Sequence, residues 1–376
     1  MRRRQFITGL AALAVTSACS DGDDTEPERT QGGSSESDDT KSPGDDTASP
    51  SNGPVHPSVG SVIASGLNVP WAVVFLPDGD ALVSQRDEAH LLRMNANGRT
   101  TDLGEVPDVT PSSGVGEGGL LGLAIAPDDP NTVFVYHTTD DDNRIVRLSV
   151  DGDRIGKPEP ILTGIPASTH HNGGRLLFGP DGLLYASTGD AEESDSSQDT
   201  DSLGGKILRI RPDGRPAQGN PFGNEVWTYG HRNVEGLAFD RGGRLWASEF
   251  GDADADELNL IERGNNYGWP EVEGMGDDGD EFTDPLNTWP PAQCSPAGIA
   301  VTRSTAFLGA LRGERLVYVP LKGARTGKPS SAFVGKYGRI REVAVAPDGA
   351  LWMATSNTDG RSTPGPKDDR ILRVTL

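Results

Sequence analysis

The sequence predicts an all-β fold, a six-bladed β-propeller of four-stranded antiparallel blades, and three observations predict it. First, a strand-turn-strand unit recurs: FLPDGDALVS at Phe75, IAPDDPNTVFVY at Ile125, FGPDGLLYAST at Phe178, FDRGGRLWASE at Phe239 and VAPDGALWMAT at Val345. The turn aspartates Asp78, Asp128, Asp181, Asp240 and Asp348 stand 50, 53, 59 and 108 positions apart, and a degenerate unit around Leu311 to Leu321 fills the double gap. Second, a strand signature runs in parallel, as LLRM ending at Met94, IVRL at Leu148, ILRI at Ile210 and ILRV at Val374. Third, 49 Gly and 28 Pro punctuate short segments rich in Val, Leu, Ile and Thr, while no amphipathic helix recurs. Units too small to bury their own faces stack around a channel. ILRV near the C-terminus is placed to complete a blade begun near Val62 and so close the ring.

In chain order, Arg2, Arg3 and Arg4 precede an apolar run, Phe6 to Ala18, too short for the roughly 20 helical residues that span a bilayer. Residues 1–19 therefore read as a signal peptide. Arg3-Arg4-Gln5-Phe6-Ile7 resembles a twin-arginine export address, although any such leader starts basic. Thr16-Ser17-Ala18-Cys19 resembles a lipobox, in which Cys19 would carry lipid and anchor the chain to a membrane; ordinary cleavage after Ala18 is the alternative. Residues 20–57 form an acidic Ser/Asp/Gly/Pro linker that cannot bury enough apolar area to offset chain entropy. Residues 58–376 then make the propeller catalytic domain. Its lone Cys294 offers no disulfide framework and reads as a small core or loop residue. A net charge of −22 excludes nucleic acid as a partner and suits a small neutral ligand.

Architecture leaves function open, because propellers host binding modules, hydrolases, lyases and oxidoreductases alike. Four loop stretches carry candidate chemistry. His171, in HHNGGRL before a strand, can project into the channel, and an imidazole suits proton abstraction near neutrality. Asp190, at the far end of the same hairpin, can return to orient it; a loop histidine capping a turn is the plainer alternative. His170 beside it suggests a metal, but neighbours on an extended strand face opposite ways and no third ligand follows at suitable spacing. Arg232, in YGHRNVEGL, can pair with carboxylates or polarise a quinone oxygen, or simply bridge two blades. SEFGDADADE and NNYGWP cluster hard oxygen donors suited to calcium, outside any EF-hand spacing, and equally describe a solvated acidic loop. Arg339 and Arg341 alternate along a strand, so both face one side and could attract a polyanion.

Taken together and in order, PWAVVFLPDG, GEGGLLGLAIAPD, HNGGRLLFGPDG, DSLGGKILRI, YGHRNVEGLAF, SEFGDADADELNLI, NNYGWP, YGRIREV, SNTDG and DDRILRV resemble the glucose/sorbosone dehydrogenase family of soluble pyrroloquinoline quinone (PQQ) enzymes, from about residue 65 to the C-terminus. The resemblance implies PQQ-dependent oxidation of an aldose at its anomeric carbon to a lactone, with electrons passing to an unidentified acceptor. It makes His171 the general base, Asp190 its orienting partner, and Arg232 and Asn233 contacts of the PQQ ring. It places Arg339 and Arg341 on the cofactor carboxylates, and Arg312 where some relatives carry a cofactor-contacting lysine. The carbonyls of Gly251 and Asp252 would bind the calcium that holds PQQ, and Glu257 with the Tyr267 carbonyl a second, structural calcium. Glu117, also near the cofactor, and Glu235 stand where glutamines often occur, His170 where an aspartate can precede the base, and Asp252 where proline is common. Glucose preference therefore does not follow. The chain is expected to act as a monomer or dimer; a calcium-dependent propeller lactonase and a non-catalytic, surface-anchored binding propeller are the competing readings.

Overall fold

A computed structural model of the chain describes residues 55–111, 116–276 and 281–376. The leader, Cys19 and most of the linker lie outside the described residues. Six antiparallel sheets follow one another around a ring, each entered by its innermost strand. Blade 1 runs Pro70–Phe75, Ala81–Gln85, His90–Met94 and Thr100–Glu105, and blade 2 runs Leu120–Ala126, Asp129–Thr138, Asn143–Asp151 and Glu159–Ile165. Blade 3 comprises Leu176–Phe178, Leu184–Ser187, Lys206–Ile210 and Val226–Tyr229; blade 4 comprises Asn233–Phe239, Leu245–Phe250, Asp256–Ile261 and Asn287–Trp289. In blade 5, Pro296–Thr302, Thr305–Ala310 and Arg315–Lys322 are finished by two short pieces, Arg325–Thr326 and Ser330–Ala332, that both pair the third strand. Blade 6 takes Ile340–Val345, Leu351–Thr355 and Arg370–Thr375 from the C-terminus and Ser58–Ser65 from the N-terminal side. Their register, Ser58 to Thr375 and Ser65 to Arg370, closes the ring as the ILRV repeat predicted. Among the described residues the helical segments are two 3-10 turns, and no helix is long and apolar enough to cross a membrane.

The repeats have three physical jobs. Where a phenylalanine precedes the turn, as in three of the five repeats, it packs edge-on against an aromatic of the preceding blade: Phe75 on Trp352 at 5.0 Å, Phe178 on Phe134 at 5.3 Å and Phe239 on Tyr185 at 5.3 Å. A serine at or next to the end of the second strand is buried and donates to the next blade's inner strand, Ser84 to the Leu121 carbonyl and Ser187 to that of Val234. The same hydroxyls accept the Ala72 amide, freed where the blade 1 inner strand bulges, and the Arg175 amide just before the blade 3 inner strand, so one atom satisfies a backbone donor and ties two blades. Finally the turn aspartate accepts the amide two residues on, as Asp78 does from Asp80 and Asp348 from Ala350, which is an Asx turn. It then pairs with the arginine of the third-strand repeat, giving Arg93–Asp78, Arg209–Asp181 and Arg373–Asp348. The two repeats keep phase because they hold each other.

Blade 5 departs from the expected placement. Its first turn is Arg303-Ser304, both at positive φ (48° and 51°), while Leu311 to Leu321 covers the second turn and third strand. A two-residue hairpin of this kind replaces the Pro/Asp/Gly turn, so the sequence signal disappears although the blade remains.

Candidate active site

His171 lies in the connection between blades 2 and 3, in a loop and not on an extended strand, with φ of 56°. Ala191 and Glu192, opposite it, also take positive φ, 51° and 64°, so non-glycine backbone strain collects here. Close approach makes this possible: a Cβ on Gly189 would meet the His171 carbonyl oxygen at 1.9 Å, and one on Gly173 would meet the Thr188 backbone at 2.5 Å. The result brings Asp190 back to the imidazole, with His171 Nδ1 2.8 Å from Asp190 Oδ1. The Asp190 side chain is 2% exposed and His171 17%, so the acid is buried and the base open. Burial pushes the Asp190 carboxyl up, yet the bonds from His171, the Glu192 amide and the Trp269 indole outweigh it and hold the group below the usual range. His170 turns instead to Glu192 at 3.1 Å; the two imidazoles serve different carboxylates because the loop, rather than strand alternation, separates them.

Glu117 accepts the His171 amide at 2.8 Å and pairs with Arg361 at 3.0 Å. Burial raises this carboxyl, but Arg361 and the amide more than offset that, so it stays ionised. Arg232, from blade 4, donates to the Gly251 carbonyl at 2.7 Å and to Asp252 Oδ1 at 2.8 Å, and its guanidinium lies 5.3 Å from the Trp269 ring centre. Its amide is held by Glu249 at 2.6 Å. Asn233 accepts the Gly173 amide at 2.9 Å, bridging blade 4 to the His171 loop. On these neighbouring residues, Arg232 Nε and Asn233 Nδ2 are buried donors with no partner in the protein. Such groups are costly unless an acceptor meets them. A quinone or pyridine acceptor is a suitable occupant.

Arg339 and Arg341 do face one side, since both approach Asp359, at 2.9 and 3.9 Å. Both are buried, and Arg341 also donates to Glu235 at 2.6 Å, so their charges are met by carboxylates of the chain. Arg312 is exposed at the turn after Thr305–Ala310 and makes no hydrogen bond or ion pair with the other candidates. Around the expected structural-calcium site, Glu257 is pushed up to about 8 by burial and by the charge of Glu249. One amide, Asn259 Nδ2, donates to both carboxylates, at 2.9 Å to Glu257 and 3.2 Å to Glu249. A carboxyl that keeps its proton because it is buried beside a second carboxylate is one that a hard divalent cation would draw into its ionised form. Tyr267 stacks on His231 at 4.6 Å and lends its hydroxyl to the Leu260 carbonyl. Gly251, Glu249, Glu257, Tyr267, Trp269 and Glu273 line a shared small cavity. Among the described residues no three His, Cys, Asp or Glu side chains converge as a metal cluster. Cys294 is wholly buried and its thiol is pushed well up by that burial, which fits the core reading.

Trp269, Glu249, Asp359 and Arg361 were not singled out by sequence. Trp269, Glu249 and Asp359 lie within the NNYGWP, SEFGDADADE and SNTDG motifs, but the partners of the first two, Asp190 and the Arg232 amide, lie 79 and 17 positions away.

The model of the glucose/sorbosone dehydrogenase family matches residues 67–371. The PQQ-bound aldose sugar dehydrogenase of Streptomyces coelicolor superposes with a TM-score of 0.82 at 51% identity, covering 85% of this chain and 97% of that one. The aldose sugar dehydrogenase YliI of Escherichia coli is 30% identical over 340 residues, 80% of this chain and 90% of its own length. Quinoprotein glucose dehydrogenase B of Acinetobacter calcoaceticus is 34% identical over 255 residues, 58% of this chain and 53% of that protein.

Proposed function

The chain belongs to the glucose/sorbosone dehydrogenase family, and from that premise we infer that it is a PQQ-dependent aldose sugar dehydrogenase. The observation that carries the reading is the pairing of an open, carboxylate-backed imidazole with two buried, unpartnered donors, Arg232 Nε and Asn233 Nδ2. The chemistry is oxidation at the anomeric carbon. With Nδ1–H given to Asp190, His171 keeps Nε2 free to take the proton of the anomeric hydroxyl, and Asp190 stabilises the imidazolium that forms. The sugar, having lost that proton and two electrons with its C1 hydrogen, becomes the lactone. PQQ, when bound, supplies the two-electron acceptor that the side chains lack. Arg232 and Asn233 would hold it, with Glu117, Arg339 and Arg341 nearby; Arg312, exposed and joined to none of them, lies outside this set. Gly251 and Asp252 would offer carbonyls to one calcium, and Glu257 with the Tyr267 carbonyl to another. The wider setting of the proposal is export by the twin-arginine route and anchorage through a lipidated Cys19; the substitution Cys19→Ala is expected to release the protein from the membrane fraction.

The test is reconstitution. Apoprotein given PQQ and calcium is expected to reduce an artificial dye when an aldose is added, and calcium alone is expected to do nothing. Aldose oxidation without any quinone would overturn the reading, and recovery of lactone hydrolysis with calcium alone would identify a lactonase instead.

A further inference from the structure

The base pair and the cation of the site stand on different connections: His171 and Asp190 belong to blade 3 and its entry loop, Arg232 to the entry of blade 4. Trp269, from the loop between the third and fourth strands of blade 4, touches both. Its indole Nε1 donates to Asp190 Oδ2 at 2.8 Å, while its ring lies under the Arg232 guanidinium at 5.3 Å. The main chain of Trp269 is itself clamped, its amide donating to the Gly230 carbonyl at 2.9 Å and its carbonyl accepting from Gln198 Nε2 at 2.6 Å. The other Asp190 oxygen is filled by His171 Nδ1 and the Glu192 amide. The indole is only half-buried, so it is not core filler.

We propose that Trp269 is a positioning residue that locks the His171–Asp190 pair and Arg232 into one rigid unit. The indole N–H fixes the plane of the Asp190 carboxylate, and the carboxylate fixes the imidazole. The indole face, attractive to a cation, sets where the guanidinium lies. Without the N–H, a buried carboxylate oxygen loses its donor, Asp190 is free to rotate, and His171 loses a single orientation. The proposal rests on the dehydrogenase reading only for its kinetic consequence.

Trp269→Phe keeps an aromatic face and deletes the N–H. In PQQ- and calcium-loaded enzyme it is expected to lower kcat by about 10- to 100-fold, the usual cost of losing such a support, with KM for the sugar little changed. Made in an Asp190→Asn background, the same substitution is expected to cost less than about twofold, because the group it positions is already altered. A second readout uses quinone-free, ¹⁵N-labelled protein: the Trp269 indole N–H resonance, assigned by its loss in Trp269→Phe, is expected to shift in Asp190→Asn. Wild-type kcat in a folded Trp269→Phe enzyme, equal losses in both backgrounds, or an indole resonance indifferent to Asp190→Asn would each overturn the proposal. If Trp269→Phe does not fold, triple-resonance assignment of the wild-type protein identifies the indole signal instead, and its response to Asp190→Asn still decides. Wild-type holoenzyme that oxidises no aldose would sink the dehydrogenase reading instead, and leave the resonance arm to judge Trp269.

Discussion

The outer turns of the blades and the channel end of the molecule use the same ionic chemistry in opposite surroundings. At the outer turns, Arg93–Asp78 and Arg373–Asp348 are pairs within one blade, and their aspartates are 54% and 53% exposed. In the channel, Arg175–Glu342 and Arg341–Glu235, both at 2.6 Å, join different blades and are buried throughout. Arg175 also lies over the blade 1 Trp71 ring at 4.4 Å and donates to the Glu235 carbonyl at 2.9 Å. Burial pushes Glu342 up to about 7 even though Arg175 and its hydrogen bond pull the other way. Water screens the outer pairs, and one member can be lost cheaply; a channel pair that loses one member strands a charge in a place water cannot reach. Repetition therefore marks the pairs that set blade register, while the pairs that shape the site appear once each.

The largest effect that tests this contrast is chemical. His171→Asn is expected to leave the melting temperature near wild type and lower turnover by about 10² to 10⁴, the usual contribution of a general base. Asp190→Asn is expected to cost less. Dye-reduction rates at saturating PQQ measure both, and full activity in the His171 variant would remove it from its role.

Next come the channel pairs. Arg341→Met leaves Glu235 and Asp359 without their shared cation and is expected to cost about 3–5 kcal/mol of unfolding free energy in a denaturant titration. A loss below about 1 kcal/mol would mean that the channel behaves like the outer surface, and the contrast would fail.

His137 sharpens the same point without a partner. Both its ring nitrogens are buried and unbonded, and burial, with Arg144 adding to it, holds its pKa near 4 against the ordinary 6.5. Between pH 6.5 and about 4 the unfolded chain binds a proton that the folded chain refuses, so stability falls as pH falls through that window. The shift corresponds to roughly 3 kcal/mol in all. His137→Phe is expected to flatten the fall in melting temperature across this window; an unchanged slope would show that another group governs acid sensitivity.

The two regions were also unequally legible in the sequence. Outer turns can be read because Phe75, Asp78 and Ser84 recur at the same spacing as Phe178, Asp181 and Ser187, with Arg93 and Arg209 each carried by a recognisable third-strand repeat. The first turn of blade 5 escapes the pattern because Arg303-Ser304 makes it without the usual residues, although Leu311 to Leu321 does fall in that blade. His171 and Asp190 could be paired because one hairpin connects them. Trp269 could not be given its role, since the Asp190 oxygen it serves is fixed by how blades 3 and 4 pack and by no local pattern. The channel arginines were foreseen on one face, yet their carboxylate partners Glu235 and Asp359 come from separate segments that only the closed ring brings together.

The smallest expected effect is at the outer turns themselves. Asp348 accepts the Ala350 amide and pairs with Arg373 at 2.6 Å; partial burial raises its carboxyl, but Arg373 and the amide outweigh this and hold it below the usual range. Asp348→Asn keeps an oxygen for the Asx turn and removes only the charge. Because Asp348 is more than half exposed, the change is expected to cost less than about 1 kcal/mol, and raising salt to 1 M is expected to shrink that difference further, since screening then acts within about 3 Å. Asp348→Ala, which also deletes the turn acceptor, is expected to cost more than Asp348→Asn, by an amount salt does not change. If the two substitutions cost the same at every salt concentration, the aspartate repeats are kept for their charge and not for the turn, and the physical job assigned to the repeat would have to be reversed.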